Sequence, residues 1–113
     1  MPGGDVMSDI EQLESEIANF CEERNWSQFH NGKDLAAAIA IEAAELQEAF
    51  LWRNNAPVDK VKEELADVFI YALRMAERNG LDVSQIVREK LAINEKKYPV
   101  EKAKNLAVKY TEL

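Results

Sequence analysis

The chain has 113 residues, the length of one domain with a modest hydrophobic core, so association would bury further apolar surface. Its net charge is −7, with 14 basic residues and no long basic run, which argues against binding of nucleic acid through the phosphate backbone. No stretch of about 18 apolar residues and no leader-like segment is present, so we expect a soluble, cytoplasmic protein without a membrane partner. The only cysteine, Cys21, is expected to be a buried, reduced thiol.

Hydrophobic periodicity predicts helices along most of the chain, and no strand pattern competes with it. Residues 1–8, which contain Pro2, Gly3 and Gly4, are expected to be a disordered segment, and residues 9–113 are expected to form one domain. The predicted helices cover about residues 9–23, 34–53, 57–79 and 82–97, with a further short helix after Pro99. The segment WSQFHNG separates the first two helices, and NNAP forms the turn between the second and the third.

Two pairs of acidic residues lie on the helices that flank the NNAP turn. Glu42 and Glu45 lie in IEAAEL, and Glu64 and Asp67 lie in EELADV. The i,i+3 spacing puts both members of a pair on one helical face. At about 1.5 Å per residue, the midpoints of the two pairs differ in height by only about 3 Å if the helices run antiparallel. The sequence therefore predicts an all-α helical bundle built around an antiparallel helix hairpin and completed by oligomerisation, with the two pairs face to face.

Four facing carboxylates predict a metal site. Taking Ile39 and Leu65 as the centres of the apolar stripes, the acids fall along one margin of the core. Partly desolvated carboxylates about 5 Å apart repel by roughly 3 kcal/mol at an effective dielectric of about 20, so the cluster needs protons or cations. Ligands that are all oxygen suit Mg²⁺ or Mn²⁺ and disfavour Zn²⁺. A single acidic pair, by contrast, usually belongs to a solvated helix surface.

Aromatic residues extend the two acidic faces. Trp52 follows Glu45 by seven residues and Tyr71 follows Asp67 by four, so each ring is expected nearly in line with its acid. Because the helices run in opposite directions, the two rings would bracket the cluster and stack on a base. The alternative is that they fill a core or an interface.

The only histidine, His30, ends the segment WSQFH between the first two predicted helices. A lone histidine in a loop is commonly structural or simply exposed. The alternative is that the segment 26–30 lines a ligand pocket.

Five motifs occur in an order that resembles one enzyme family: WSQFH, ExxEL followed by WR, EELADVFIY, INEKKYP and KYTEL. In this order they resemble the MazG-like all-α nucleoside triphosphate pyrophosphohydrolases, and most closely their dCTP pyrophosphatase branch, over about residues 10–113. The resemblance implies Mg²⁺-dependent hydrolysis, with Mn²⁺ as a substitute, of a deoxynucleoside triphosphate between the α- and β-phosphates. It also implies a homodimer or homotetramer, nucleoside monophosphate and pyrophosphate as products, and a task in nucleotide-pool house-cleaning.

The resemblance implies roles for individual residues. The metal ligands and catalytic carboxylates would be Glu42, Glu45, Glu64 and Asp67. The nucleotide-binding residues would be Trp26, Phe29, His30, Trp52, Tyr71, Asn94, Lys97 and Tyr98, the last three near the phosphates. One departure concerns the base, because dCTP-selective relatives carry a histidine on the first helix where this chain has Ile17. We therefore expect a deoxy preference with dCTP favoured and broadened base tolerance.

Two other interpretations fit the sequence less well. A di-iron protein of the ferritin type requires Glu-x-x-His pairs, and the sequence contains none. A non-enzymatic helical dimerisation or interaction module would use the acids only for solubility. Such a module does not account for the matched heights of the two pairs, and it should gain little thermal stability from Mg²⁺, whereas a metal site gains stability by mass action.

Overall fold

The computed structural model describes residues 7–113, and within this range it contains helices and no strand. The α-helices are α1 (Asp9–Glu23), α2 (Gly32–Glu48), α3 (Val58–Arg78), α4 (Val83–Lys97) and α5 (Val100–Ala103). Single 3₁₀ turns lie at Ser27–Phe29 and Tyr110–Glu112. The prediction of an all-α protein is confirmed. The helices within the described range are all too short or too polar to cross a membrane.

The chain divides into two compact units, the first ending at Gly80 and the second covering 81–113. The prediction of one domain over residues 9–113 stays a prediction. The expected disorder of residues 1–8 falls mostly on residues 1–6, which lie outside the described range.

Ser8 is the N-cap of α1, because its hydroxyl accepts from the backbone N–H of Glu11 while the Glu11 carboxylate accepts from the N–H of Ser8. This reciprocal pair is a capping box, which stabilises the start of a helix.

Packing in the first unit is dominated by α2 against α3. Glu45 lies near Glu64, and Glu42 lies near Asp67, the order of contacts expected for an antiparallel pair. The two acidic pairs, which were predicted to lie at the same height along the two helices, are therefore in contact.

The second helix is shorter than predicted, since α2 ends at Glu48 and not at Arg53. Beyond Glu48 the backbone changes to bonds between residues three apart, with the N–H of Leu51 donating to the carbonyl of Glu48 at 3.0 Å and that of Arg53 to Phe50 at 3.0 Å. Trp52 then adopts a left-handed backbone conformation with φ of 63°, which bulky residues seldom adopt. Phe50, Leu51 and Trp52 are all apolar and continue the helical pattern in the sequence, so the pattern did not indicate that α2 ends at Glu48. Trp52 consequently does not lie in helical line with Glu45.

The rotation of α3 also differs from the prediction. Leu65, the predicted centre of the buried stripe, is 39% exposed, whereas its neighbour Glu64 is 7% exposed. Neighbouring residues on a helix point about 100° apart, so α3 turns a polar row inward. That row consists of Glu64, Asp67, Tyr71 and Arg74. Glu64 is therefore buried, whereas Glu42 and Asp67 are partly buried and Glu45 is exposed, so Glu64 is the acid that departs from the predicted margin of the core.

The apolar core of the first unit is small. The buried apolar residues in the described range are Cys21, Leu35, Ala49 and Ala76. Cys21 is a buried free thiol, as predicted.

Candidate active site

The carboxylates of α2 and α3 form a cluster. Glu42, Glu64 and Asp67 each place one carboxylate oxygen within 4.8 Å of the other two. Glu64 is buried, while Glu42 and Asp67 are partly buried. The fourth predicted ligand, Glu45, is exposed, and its carboxyl group is in hydrogen-bonding range of Glu42 and Glu64. The structure therefore brings all four predicted carboxylates together.

The negative charges in this cluster favour uptake of a proton by Glu45. Hydrogen bonding to Glu42, the charge of Glu42 and then the contact with Glu64 raise the pKa of Glu45 to about 7. The pKa of Glu64 is lowered instead, first because the Lys60 ammonium group donates to its carboxylate. In the absence of a cation, Glu45 therefore shares a proton with its neighbours near neutral pH.

The oxygen atoms of the cluster fit a hard divalent cation. Oε2 of Glu42 and Oε2 of Glu64 are buried and have no hydrogen-bond partner among residues 7–113. A buried carboxylate oxygen without a partner is unfavourable, and a cation would satisfy it. Carboxylate oxygens are the ligands that Mg²⁺ prefers in proteins. The donor set and the unsatisfied oxygens thus agree with the predicted type of metal site.

A cavity of about 560 Å³ opens beside two of these carboxylates. Its lining residues are Glu45, Glu48, Ala49, Arg53, Pro57, Lys60 and Glu64. The side chains of Arg53 and Lys60 are cationic and share this cavity with Glu45 and Glu64. A polyphosphate could therefore meet both cations next to the acidic cluster.

Tyr71 connects the cluster to the WSQFH segment. Burial raises the pKa of the Tyr71 hydroxyl, and the negative charges of Glu42 and Asp67 raise it further. The ring of His30 meets the ring of Tyr71 edge-on, with centroids 6.5 Å apart. Tyr71 thus neighbours both the carboxylates and the ring of His30.

The other aromatic residues of the predicted pocket are more exposed. Trp26 packs edge-on against Phe20 with centroids 5.7 Å apart, and it remains partly open to solvent, as does Phe29. Trp52 is 94% exposed in the turn after α2. The structure does not bring Trp52 to the cluster as a helical neighbour of Glu45, and its predicted contact with the base stays a prediction.

Sequence reasoning missed Arg74, which is 4% exposed. Its guanidinium group donates to Nδ1 of His30, to Oγ of Ser27 and to Oε1 of Glu77. The only available signal was a charged residue at helical spacing from Asp67 and Tyr71, on the same face of α3.

The second unit contains the remaining predicted residues, namely Asn94, Lys97 and Tyr98. The ring of Tyr98 meets that of Tyr110 edge-on at 6.2 Å, and Nζ of Lys97 lies 4.8 Å from the centroid of Tyr110. The backbone N–H of Tyr98 donates to the carbonyl of Asn94 at 2.8 Å. Tyr110, in the KYTEL motif, therefore joins the predicted phosphate-side residues within this unit.

Comparison with known proteins places the chain in a family. The model of the MazG-like family matches residues 37–113. The proteins called dCTP pyrophosphatase 1 in Homo sapiens and Rattus norvegicus are each 36% identical to it, across 96% of this chain and 68% of the relative. The crystal structure of a pyrophosphatase from Archaeoglobus fulgidus superposes with a TM-score of 0.78 at 32% identity, covering 87% of this chain and 99% of that one. Since the family model covers most of the chain and the relatives match nearly all of it, the chain belongs to the MazG-like family of nucleoside triphosphate pyrophosphohydrolases.

Proposed function

We propose that this protein hydrolyses deoxynucleoside triphosphates to the monophosphate and pyrophosphate, with Mg²⁺ held by Glu42, Glu45, Glu64 and Asp67. Mn²⁺ would substitute for Mg²⁺. The observation that carries the proposal is the carboxylate cluster, in which two buried oxygen atoms have no hydrogen-bond partner among residues 7–113. The relatives named dCTP pyrophosphatase 1 support the substrate class.

The proposed reaction is a transfer of the nucleotidyl group from pyrophosphate to water. A P–O bond to water forms, the bridging P–O bond between the α- and β-phosphates breaks, and pyrophosphate leaves. When bound, Mg²⁺ supplies neutralisation of the phosphate charge and makes water more acidic. A carboxylate of the cluster orients the water and takes up its proton. Cys21 is buried, which disfavours it as a nucleophile. We propose direct attack by water, without a covalent enzyme intermediate.

Positive side chains near the cluster would hold the phosphates. Arg53 and Lys60 line the same cavity as Glu45 and Glu64, and each would donate to phosphate oxygens. Asn94, Lys97 and Tyr98 of the second unit are proposed to act on the phosphates as well.

The base and sugar would bind among the aromatic residues Trp26, Phe29, His30, Trp52 and Tyr71. We expect dCTP to be a good substrate and at least one purine deoxynucleotide to be usable. Ile17 on α1 is apolar, so it cannot donate a hydrogen bond to the base, and a pocket that selects by stacking and shape alone discriminates modestly. Removal of unwanted nucleotides from the pool is the corresponding physiological task.

We also propose a homodimer or homotetramer. Apolar side chains on α3 are exposed, namely Leu65, Phe69 and Ile70, because α3 turns its polar row inward. A chain of this size has few buried apolar residues, so packing this face of α3 against a second copy would bury more apolar surface and enlarge the hydrophobic core.

The test is a panel of the canonical deoxynucleotides and ribonucleotides, with kcat/KM measured from pyrophosphate release at saturating Mg²⁺. We expect dCTP among the best substrates and deoxynucleotides above their ribonucleotide counterparts. A ribonucleotide that exceeds every deoxynucleotide, or dCTP among the worst, would contradict the assignment. Thermal unfolding with and without Mg²⁺ separates the enzyme from a non-enzymatic interaction module, which should not be stabilised.

A further inference from the structure

We propose that Arg74 is a positioning residue that fixes His30 in the neutral tautomer with its proton on Nε2, so that His30 presents one hydrogen-bond donor to the nucleotide. The inference rests on the proposed function, because it takes a nucleotide as the ligand. It concerns a contact between α3 and the WSQFH segment, outside the carboxylate cluster.

The hydrogen bond itself defines the tautomer. Nε of Arg74 lies 3.2 Å from Nδ1 of His30. A guanidinium group has only donors, so Nδ1 must accept and cannot carry a proton. The proton of the neutral imidazole then resides on Nε2. A flipped ring would place a C–H group against the Arg74 N–H and leave that donor without an acceptor.

The Arg74 guanidinium group is held from three sides. It donates to Nδ1 of His30, to Oγ of Ser27 at 2.6 Å and to Oε1 of Glu77 at 2.7 Å. The Ser27 hydroxyl in turn donates to Oε1 of Glu22 at 2.5 Å. Two carboxylates therefore balance the buried charge, one directly and one through a hydroxyl. Because each bond has a different direction, Arg74 ties both the 3₁₀ turn and His30 to α3.

This anchoring holds the His30 ring against Tyr71, a residue of the proposed nucleotide pocket. His30 meets Tyr71 edge-on, and Tyr71 lies beside Glu42 and Asp67. Burial lowers the pKa of His30, and the positive charges of Arg74 and Arg78 lower it further, so the ring stays neutral at physiological pH.

Nε2 is the ring nitrogen left for a ligand. Nδ1 is occupied by Arg74, and among residues 7–113 no hydrogen bond to Nε2 is found. An N–H group requires an acceptor, and a nucleotide offers oxygen acceptors on its base and on its phosphates. The acceptor for the Nε2–H group is therefore either the cytosine base or a phosphate, and the experiment must distinguish the two.

The first measurement is direct, since His30 is the only histidine. Long-range ¹H–¹⁵N spectra of the uniformly ¹⁵N-labelled protein report which imidazole nitrogen carries the proton. We expect a single imidazole with Nε2 protonated and Nδ1 unprotonated. A dominant Nδ1-protonated form, or an even mixture of the two tautomers, would overturn the proposal whatever the activity of any variant.

Titration of the same sample identifies the ligand. Deoxycytidine and inorganic pyrophosphate, each added with Mg²⁺, present the base and the phosphates separately. A shift of the Nε2 resonance with deoxycytidine assigns the donor to the nucleoside, and a shift with pyrophosphate assigns it to the phosphates. If neither compound nor dCMP shifts this resonance, His30 is not a nucleotide contact and the proposal fails.

Variants then test Arg74. Arg74→Met removes all three hydrogen bonds at similar side-chain length, and Arg78→Met is the matched control, because it removes a nearby charge from α3 without removing a bond to His30. We expect Arg74→Met to mix the tautomers and to raise KM about tenfold with a smaller change in kcat. Arg78→Met should retain the tautomer and the KM.

The outcomes distinguish this inference from the proposed function. An active enzyme in which Arg74→Met keeps the native tautomer and KM overturns the inference alone. A wild-type protein that hydrolyses no nucleotide overturns the proposed function, even if the tautomer is as expected. If Arg74→Met does not fold, the wild-type tautomer and the ligand titration still decide the matter.

Discussion

Nζ of Lys60 lies 2.9 Å from Oε1 of Glu64, the most buried carboxylate of the acidic cluster. The ammonium group occupies Oε1, so Oε2 of Glu64, which has no hydrogen-bond partner among residues 7–113, is the atom left for Mg²⁺. The nearby positive charge of Lys60 opposes binding of the metal there. Lys60 also lines the cavity next to the cluster, where it would meet the phosphates.

The variant Lys60→Met is expected to affect metal and substrate in opposite directions. Loss of the competing ammonium group should tighten Mg²⁺ binding by about fivefold, while loss of a phosphate contact should raise KM for dCTP by a similar factor. Calorimetric titration with Mg²⁺ and steady-state kinetics measure the two effects. Lys62→Met, which removes the same charge from an exposed position on α3, is the control. Weaker Mg²⁺ binding in Lys60→Met would show that Lys60 does not compete with the metal.

Thermal stability of the metal-free protein should depend on the titration of Glu45. Its pKa is raised to about 7 in the folded state from an ordinary value of 4.5. The folded state therefore holds a proton that the unfolded state releases, so this contribution is fully present below about pH 4.5 and is lost as the pH rises through about 7. The raised pKa predicts a falling melting temperature over this window in the presence of a chelator.

Mg²⁺ must displace that proton, so the gain in melting temperature from Mg²⁺ should be larger at pH 8 than at pH 6. Differential scanning fluorimetry at several pH values measures both trends. In Glu45→Gln, which cannot ionise at this position, the pH dependence between these values should flatten. An unchanged pH profile in that variant would assign the effect to another group.

Trp52 provides a test that separates binding from folding. Its side chain is almost fully exposed, so Trp52→Ala should change the free energy of unfolding by no more than about 0.5 kcal/mol. If the ring stacks on the base, its loss should raise KM for every deoxynucleotide by at least about fivefold, since stacking contributes about 1–3 kcal/mol per base. Leu51→Ala, in the same turn, is the control. A KM that rises for only one base would indicate a specific contact and not stacking.

Phe69 tests association, because it is 58% exposed on the outward face of α3. The variant Phe69→Glu should dissociate the oligomer and lower activity, since a charge in an apolar interface is unfavourable. Sedimentation velocity at micromolar concentration gives the state of association. Val58→Glu, another exposed apolar position on α3, should remain associated. A stable wild-type monomer with full activity would refute the proposal.

Helical geometry explains why the acidic cluster was predictable. Rise per residue is nearly constant, so two i,i+3 pairs at matched distances from a turn must meet if the helices pack antiparallel. Glu45 does contact Glu64, and the early end of α2 leaves this result intact because it falls beyond Glu48.

Rotation of a helix and contacts distant in sequence were not predictable in the same way. Glu64 and Leu65 are neighbours, and only the packing of α3 against α2 decides which of them faces inward. Arg74 bonds to Ser27 and His30, which lie 47 and 44 residues away along the chain. No local pattern encodes such pairs, whereas the capping serine at the start of α1 follows from local chemistry.

The most direct test of the central claim is product analysis with dCTP and Mg²⁺ in ¹⁸O-labelled water, for the wild type, Glu64→Gln and Glu63→Gln. Glu63 is the exposed neighbour of Glu64, so its variant makes the same change in charge outside the cluster. We expect the wild type and Glu63→Gln to release dCMP and pyrophosphate in equal amounts, with one labelled oxygen incorporated. Glu64→Gln should lose about 100-fold or more in kcat/KM, together with the stabilisation by Mg²⁺. Release of orthophosphate in place of pyrophosphate, or near-native turnover by Glu64→Gln at saturating Mg²⁺, would contradict the account.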